Sequence, residues 1–468
     1  MDSLTETSSD CPDIASQHQL PRGYMDLAEE LPFAAVVSSD RLPFVCSFCF
    51  ETSDDKPFNR CSRCKHICYC TRNCQKSDWE DHKLECQSLV RTKHRGPPTP
   101  LARLIARISW KLSRGDEGVA FNGRRFNDLM NHRENIEKDP VKADFYVSLS
   151  HVLFEFMGPE CVPRPQEIMD IFGKIISNCF CITDWQMNSI GEGLYIGLSV
   201  HDHSCTPDAN VIFSGSKAIL RAPQHISGLK YSPSLLIRYV PLMQTTPERR
   251  KQLKEQYYFE CTCDLCKDKD RDRVARSVRC NRCPSGVCPV DESFVQLICS
   301  SCSQISPIDV DEAIQYNLQV AWQIERLNDI IKRNDDKEDW NQALNEAVKV
   351  YDMFCTKLSP LNMKMAHLVD QIQKLSVRIN AVCVGARFST LGMAAYNRYL
   401  SKGNPELTCH YLLSAVCSSL AEPPDPKAME LFNQAQEAAV SSHGLRTSLT
   451  AEIDLMMHQF KNRLVKAV

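Results

Sequence analysis

Apolar residues recur at three- and four-residue intervals over 101–112, as Leu101, Leu104, Ile105, Ile108 and Leu112, which predicts an amphipathic helix. Gly96-Pro97-Pro98-Thr99-Pro100 punctuates the chain just before it. Similar spacing predicts helices over 145–157 and 165–176. The text then changes to strand-like residues and turn glycines around Gly193-Leu194-Tyr195, and residues 235–240 read as a further strand ending in Tyr239 and Val240. From Asp311 onward helical spacing returns, over 311–333, 339–358, 365–384 and 427–443, with breaks at Pro360, Gly403-Asn404-Pro405 and Pro423-Pro424. Ala428, Ala435 and Ala438 are small enough for close helix approach, but no strict 34-residue repeat survives. Residues 1–20 are polar and predict a flexible tail. No apolar run reaches the roughly 18 residues of a membrane span.

A chain of 468 residues divides into several domains, and its net charge of -3 gives no overall pull toward nucleic acid or an anionic membrane. The 25 cysteines change the picture more. The N-terminal residues lack a secretory apolar region, so the cysteine pairs read as thiolate metal ligands rather than disulfides. Cys46, Cys49, Cys61, Cys64, Cys70, Cys74, His82 and Cys86 supply eight ligands of zinc type, enough for two closed tetrahedral sites. Spacing gives that ligand set and not its pairing. A lone Cys205 can complete a site with Cys261, Cys263 and Cys266, which would tie the loop of Asp202 and His203 to the segment of Tyr257 and Phe259. Cys280, Cys283, Cys299 and Cys302 have the spacing of a four-thiolate ribbon. His66, Cys68 and Cys288 are left over, and Cys179, Cys181, Cys355, Cys383, Cys409 and Cys417 are expected as small buried hydrophobes. The basic run Arg91, Lys93, His94, Arg95 is expected to be a solvated linker, which disfavours DNA as a partner.

The order Gly191-x-Gly193-Leu194-Tyr195, His203-Ser204-Cys205, Tyr239, Glu248-Arg249-Arg250 and Tyr257 to Cys261 resembles the SMYD (SET and MYND domain) protein-lysine methyltransferases. The resemblance implies a multidomain α+β fold: a β-rich SET core interrupted by a MYND zinc finger, a zinc-bound post-SET segment, and an all-helical tetratricopeptide-like C-terminal domain. The implied boundaries are a tail at 1–20, a degenerate N-terminal SET part at 21–45, the finger at 46–86, and the SET core with a helical insertion at 101–240. The post-SET segment follows at 241–270, the ribbon-like insertion at 276–305 and the helical domain at 311–468. In the finger the family's interleaving implies one zinc on Cys46, Cys49, Cys70 and Cys74, and another on Cys61, Cys64, His82 and Cys86. It further implies Tyr239 beside the transferring methyl group, Tyr257 and Phe259 as walls of a lysine channel, and His132, Asn178, Asp202 and His203 lining S-adenosylmethionine.

Three departures accompany the resemblance. Only Gly23 remains of an N-terminal Gly-x-Gly turn, Asp202 replaces the usual Asn, and residues 227–233 replace a Gly-Glu-Glu. Two function classes therefore stand open: an S-adenosylmethionine-dependent protein-lysine methyltransferase, with histones among its candidate protein substrates, and a zinc-stapled interaction scaffold. Neither needs a membrane; both fit a cytoplasmic and nuclear monomer, with Trp79 of the finger available to proline-containing peptides.

Overall fold

The computed structural model describes residues 24–53, 56–223, 230–333, 337–445 and 447–467. The expectations for 1–20, for Pro21-Arg22-Gly23 and for Ser227-Gly228-Leu229 lie outside these residues. Strands β1 (Tyr24–Glu30) and β2 (Ala34–Val37) open the chain and go to different sheets. The finger follows, with β3 (Asn59–Arg60), β4 (Cys68–Tyr69), α1 (Arg72–Ser77) and α2 (Trp79–Arg91).

Then come α3 (Pro100–Ser113), α4 (Arg133–Lys138), α5 (Pro140–Met157) and α6 (Pro165–Asn178). Thr99 caps α3 by accepting the Ala102 N–H, with Pro100 at the first position where no N–H is needed. Leu104, Ile105 and Ile108 are fully buried on this helix. Each such burial stabilises by about 2 kcal/mol, against ~1 kcal/mol for a cap, so packing holds α3 more than its cap does.

Strands β5 (Cys179–Thr183) and β6 (Ser189–Leu194) join β2 in the antiparallel order β2-β6-β5, while β7 (Asn210–Ser214) and β8 (Lys217–Pro223) join β1 in the order β1-β8-β7. Both three-stranded sheets thus draw on both sides of the finger. The strand expected over 235–240 is absent. Its backbone instead laces the loop after β6: Ile237 N–H donates to Asp202 O and Ser204 N–H to Ile237 O, both at 2.9 Å, leaving a single parallel bridge between His203 and Ile237. The Asp208 carboxylate takes the Leu236 N–H at 2.9 Å, so loop groups satisfy what a neighbouring strand would have satisfied.

Beyond it lie α7 (Thr246–Tyr257), α8 (Asp264–Lys267) and α9 (Lys269–Ala275). The ribbon pairs β9 (Val278–Arg279) with β10 (Val287–Cys288), and β11 (Gln296–Ile298) with β12 (Ile305–Asp309). The remainder is helical: α10 (Val310–Arg333), α11 (Lys337–Phe354), α12 (Met363–Arg378), α13 (Val382–Phe388), α14 (Met393–Tyr399), α15 (Pro405–Ser419), α16 (Lys427–Ser442) and α17 (Ser448–Ala467). The single helix expected over 365–384 breaks in two because Asn380 takes a left-handed conformation (φ 57°). Polar Asn tolerates that geometry better than most residues.

Hydrophobic clusters cross the expected boundaries. Ile67, Tyr69 and Leu89 of the finger share one cluster with Val36, Ile105 and Leu194. Val278, Val290 and Leu297 of the ribbon share another with Val320, Leu344 and Ile372 of the helices. A third joins Val240, Leu242, Met243 and Leu253 to Ala366, Tyr396, Tyr399 and Leu407. Cys417 is buried as expected, whereas Cys181 and Cys383 are exposed. Among the described residues no helix is long and apolar enough to cross a membrane.

Candidate active site and metal centres

Four sets of side chains converge with all ligand atoms in each set within 4.8 Å of one another: Cys46, Cys49, Cys70 and Cys74; Cys61, Cys64, His82 and Cys86; Cys205, Cys261, Cys263 and Cys266; Cys280, Cys283, Cys299 and Cys302. Zinc–thiolate bonds of about 2.3 Å in a tetrahedron put sulfurs about 3.8 Å apart. The Sγ–Sγ separations are 3.6 Å for Cys49–Cys70, 3.9 Å for Cys61–Cys86, 3.6 Å for Cys205–Cys266 and 3.7 Å for Cys280–Cys302. These match a zinc tetrahedron and are far too long for disulfides of about 2.05 Å. Zinc is the cofactor such donor sets fit.

The second finger site is held by a buried network that spacing did not reveal. His82 presents Nε2 to Cys64 Sγ at 3.6 Å, and its Nδ1 lies 3.0 Å from Glu85 Oε2. Glu85 accepts from Arg103 Nε at 2.8 Å and from Arg107 Nη2 at 2.6 Å, and Arg107 also grips Asp78 with both terminal nitrogens, at 3.0 and 3.1 Å. The same two arginines donate to backbone carbonyls of β2, those of Val37 and Ala35. The sequence did carry a signal for Glu85, three residues after His82 on one helix face.

The third set anchors the candidate transfer site. Arg249 donates Nε to Cys205 Sγ at 3.2 Å and Nη2 to Cys266 Sγ at 3.5 Å, charge that a thiolate centre favours. His203 Nε2 lies 3.3 Å from Cys205 Sγ, and its Nδ1 accepts the Tyr239 N–H at 3.0 Å. Burial and then Arg249 lower the imidazole pKa to about 4, so the ring is neutral, as an acceptor must be. Tyr239 donates its hydroxyl to the His201 carbonyl at 2.5 Å. Burial, followed by the nearby Asp202 and Tyr257, raises its pKa well above the usual tyrosine value. The Tyr239 and Tyr257 rings lie 4.7 Å apart, and His203 stands 5.3 Å from Tyr239 and 5.9 Å from Phe259. These aromatic residues are half-buried, and burial and then Cys179 push the Tyr257 hydroxyl up to about 12.

The expected cofactor residues fare differently. Asp202 is exposed, and the adjacent His201 has a buried Nε2 with no hydrogen-bond partner, so this short stretch keeps polar capacity to offer. His132 caps α4 in a left-handed conformation with its ring 5.2 Å from Tyr258. Asn178 uses its amide on Met130 O and Lys174 O, both at 2.8 Å. Sequence reasoning also missed Glu30, whose two carboxylate oxygens take the Gly197 and Leu198 N–H groups at 2.8 Å each and set the loop leading to Asp202. Glu192 on β6 is half-buried beside Cys179 and Cys181, and burial raises its pKa.

Two split sheets threaded by a zinc finger, a thiolate site pinning an aromatic cluster and a helical C-terminal region define a SET-and-MYND protein. Comparison with known proteins agrees: a family model described as MYND finger matches residues 46–86. The chain is similar to the human histone-lysine N-methyltransferase SMYD3, 32% identical over 52% of this chain and 56% of that one. It is similar also to human SMYD1, 32% identical over 55% and 54% of the two chains. Human N-lysine methyltransferase SMYD2 is 29% identical over 50% of this chain and 53% of its own. The chain spans about half the length of the curated relatives it matches. The finger model and these relatives together set the chain's likeness with the SMYD family.

Proposed function

We propose that this chain is an S-adenosylmethionine-dependent protein-lysine N-methyltransferase. The observation that supports it most is the contact of Tyr239 and Tyr257, with Phe259 nearby, around a neutral His203 that is tied to the Cys205 thiolate site. Aromatic walls suit an alkyl ammonium side chain and keep water from it. When bound, S-adenosylmethionine would supply a methyl group on a sulfonium. Asp202 would hold the cofactor's ammonium, and the family resemblance adds His132, His203 and Asn178 at its edge. Tyr239, neutral and fixed at both its N–H and its hydroxyl, would orient the lysine amine by a contact that matters most in the transition state. Protein lysines, those of histones among them, are the proposed substrates in nucleus and cytoplasm, and Trp79, 39% exposed on the finger, the proposed contact for proline-containing peptides.

One observation favours the scaffold reading: Asn178 spends its amide, and His203 both nitrogens, within the protein. Calorimetric titration of zinc-loaded protein with S-adenosylmethionine, with radiolabelled methyl transfer to a broad protein lysate, separates the two. Binding and robust labelling by the wild type would support the enzyme and sink the scaffold. Neither binding nor labelling would sink the enzyme.

A further inference from the structure

The Tyr239 segment is not held in a sheet; the His201 carbonyl takes its hydroxyl and His203 its N–H. Two further routes of contact brace that segment, and both end on the helical C-terminal region. In the first, the adjacent Arg238 forms a half-buried ion pair with Glu406, the two side chains 15% and 20% exposed. Glu406 stands in the first turn of α15, where the helix dipole favours a carboxylate and Asn404 accepts its N–H at 2.8 Å. In the second, Lys364 at the start of α12 pairs with Glu248. Glu248 caps α7, accepting from Thr245 N and Oγ1 at 2.8 Å each, and places the next residue, Arg249, against the Cys205 and Cys266 sulfurs. Cys205 in turn adjoins His203, which receives the Tyr239 N–H. Between the two routes Val240, Leu242 and Met243 pack in one cluster with Tyr396, Tyr399 and Leu407.

We propose that Glu406 is a positioning residue for Tyr239: through Arg238 it holds the tyrosine hydroxyl in register with the transfer site, so the C-terminal helices form part of the catalytic frame. The proposal rests on the methyltransferase reading. Without the carboxylate, the Arg238 guanidinium loses its charge partner in a half-buried place and turns toward water, and the bend at 238–240 relaxes with it. Methyl transfer demands close placement of the reacting groups, so even a small displacement of the hydroxyl should register in rate rather than in binding.

The test uses full-length, zinc-loaded protein with core histones and radiolabelled S-adenosylmethionine. Glu406→Gln should lower kcat roughly tenfold while cofactor affinity and thermal midpoint stay near wild type, and the charge swap Arg238→Glu with Glu406→Arg should restore most of the rate. In a Tyr239→Phe background Glu406→Gln should cost nothing further, because the hydroxyl it positions is gone. An undiminished kcat in Glu406→Gln, or the same penalty with and without the hydroxyl, would overturn the proposal. Hydrogen exchange judges the contact independently of activity: amides over 235–242 should exchange faster in Glu406→Gln while those of the finger do not, and unchanged exchange there would overturn it. A wild type that neither binds S-adenosylmethionine nor labels a broad protein lysate would instead defeat the enzyme reading and leave the exchange result to decide the role of Glu406.

Discussion

Glu85→Gln tests whether the finger is held by its metal alone or also by the buried charges behind it. Asp78 and Glu85 carry two negative charges against two positive ones on Arg103 and Arg107, all four side chains at most 5% exposed. Burial alone would raise the Glu85 pKa, but Arg107, Arg103 and His82 outweigh it and hold the carboxyl well below the usual range. A depressed acid contributes stability that is fully present above the unfolded value of about 4.3 and is lost as pH falls through the folded one. At neutral pH the whole contribution is therefore expressed. Glutamine removes one negative charge and turns an NH₂ toward groups that can only donate. Breaking one partner of a buried pair costs about 3–5 kcal/mol, a large share of the ~5–15 kcal/mol that holds a typical domain. Losing the carboxylate behind a zinc histidine should also weaken metal affinity about 10- to 100-fold. Urea unfolding and zinc transfer to a competing chelator measure both effects, with Glu80→Gln, whose side chain is 74% exposed, as the control. Glu85→Gln within about 0.5 kcal/mol of wild type, the usual scatter of surface substitutions, with zinc release unchanged, would refute the reasoning.

Gly286→Ala should empty the ribbon site alone, since a Cβ there would lie 2.4 Å from Cys283 Sγ and 2.5 Å from Cys299 Sγ; metal analysis should fall from four zinc ions per chain to three. If the proposed methyltransferase reading holds, Tyr239→Phe should keep S-adenosylmethionine affinity in calorimetry while cutting methyl transfer by on the order of 10²-fold, because packing is nearly unchanged and the hydroxyl would act chiefly in the transition state. His443, 6% exposed between α16 and Arg221, has its pKa lowered from 6.5 to about 4, by burial first and Arg221 second. The unfolded histidine takes a proton that the folded one refuses, so stability should drop by up to about 3 kcal/mol as pH falls from 6.5 toward 4; His443→Asn should flatten that part of a pH-dependent unfolding curve.

What the sequence could carry depended on how local the signal was. Cysteine spacing survives any tertiary arrangement, because a tetrahedral site needs four donors and little else. The helices on either side of residue 160 announced themselves by period, and α3 by its Pro-rich start. Residues 235–240 misled because a run of Leu, Leu, Ile, Tyr and Val has strand propensity wherever it lies, while the partner that decides the outcome was a loop 30 residues upstream. The same limit hid Arg103 and Arg107. On a helix read by its apolar stripe, two arginines one turn apart count as solvated, and only the finger's Asp78 and Glu85, folded against them, make their burial affordable. Asn178 was legible as a residue type and not as a contact, since its amide could serve a ligand or the protein's own carbonyls equally well.

The energetics of the chain explain why its charged and metal-bound groups sit at boundaries. Each SET sheet has three strands, and those of β2-β6-β5 are only four to six residues long, gathered from segments that other structure interrupts. The long insertions between those strands cost closure entropy before any strand contact can offset it, and so small a sheet buries little to set against that cost. Side chains from the inserted pieces supply the missing contacts: Arg103 and Arg107 bond β2 while balancing the finger's carboxylates, and Arg249 bonds two sulfurs of the post-SET site while its neighbour Glu248 meets α12. A finger unfolded by loss of its metal would take Asp78 and Glu85 away from Arg103 and Arg107 and leave two buried arginines without their counter-charge. The zinc centres therefore couple the domains as well as folding their own segments, and the proposed transfer site, standing where the post-SET and helical segments share one apolar cluster, is the part most exposed to any loosening of that coupling.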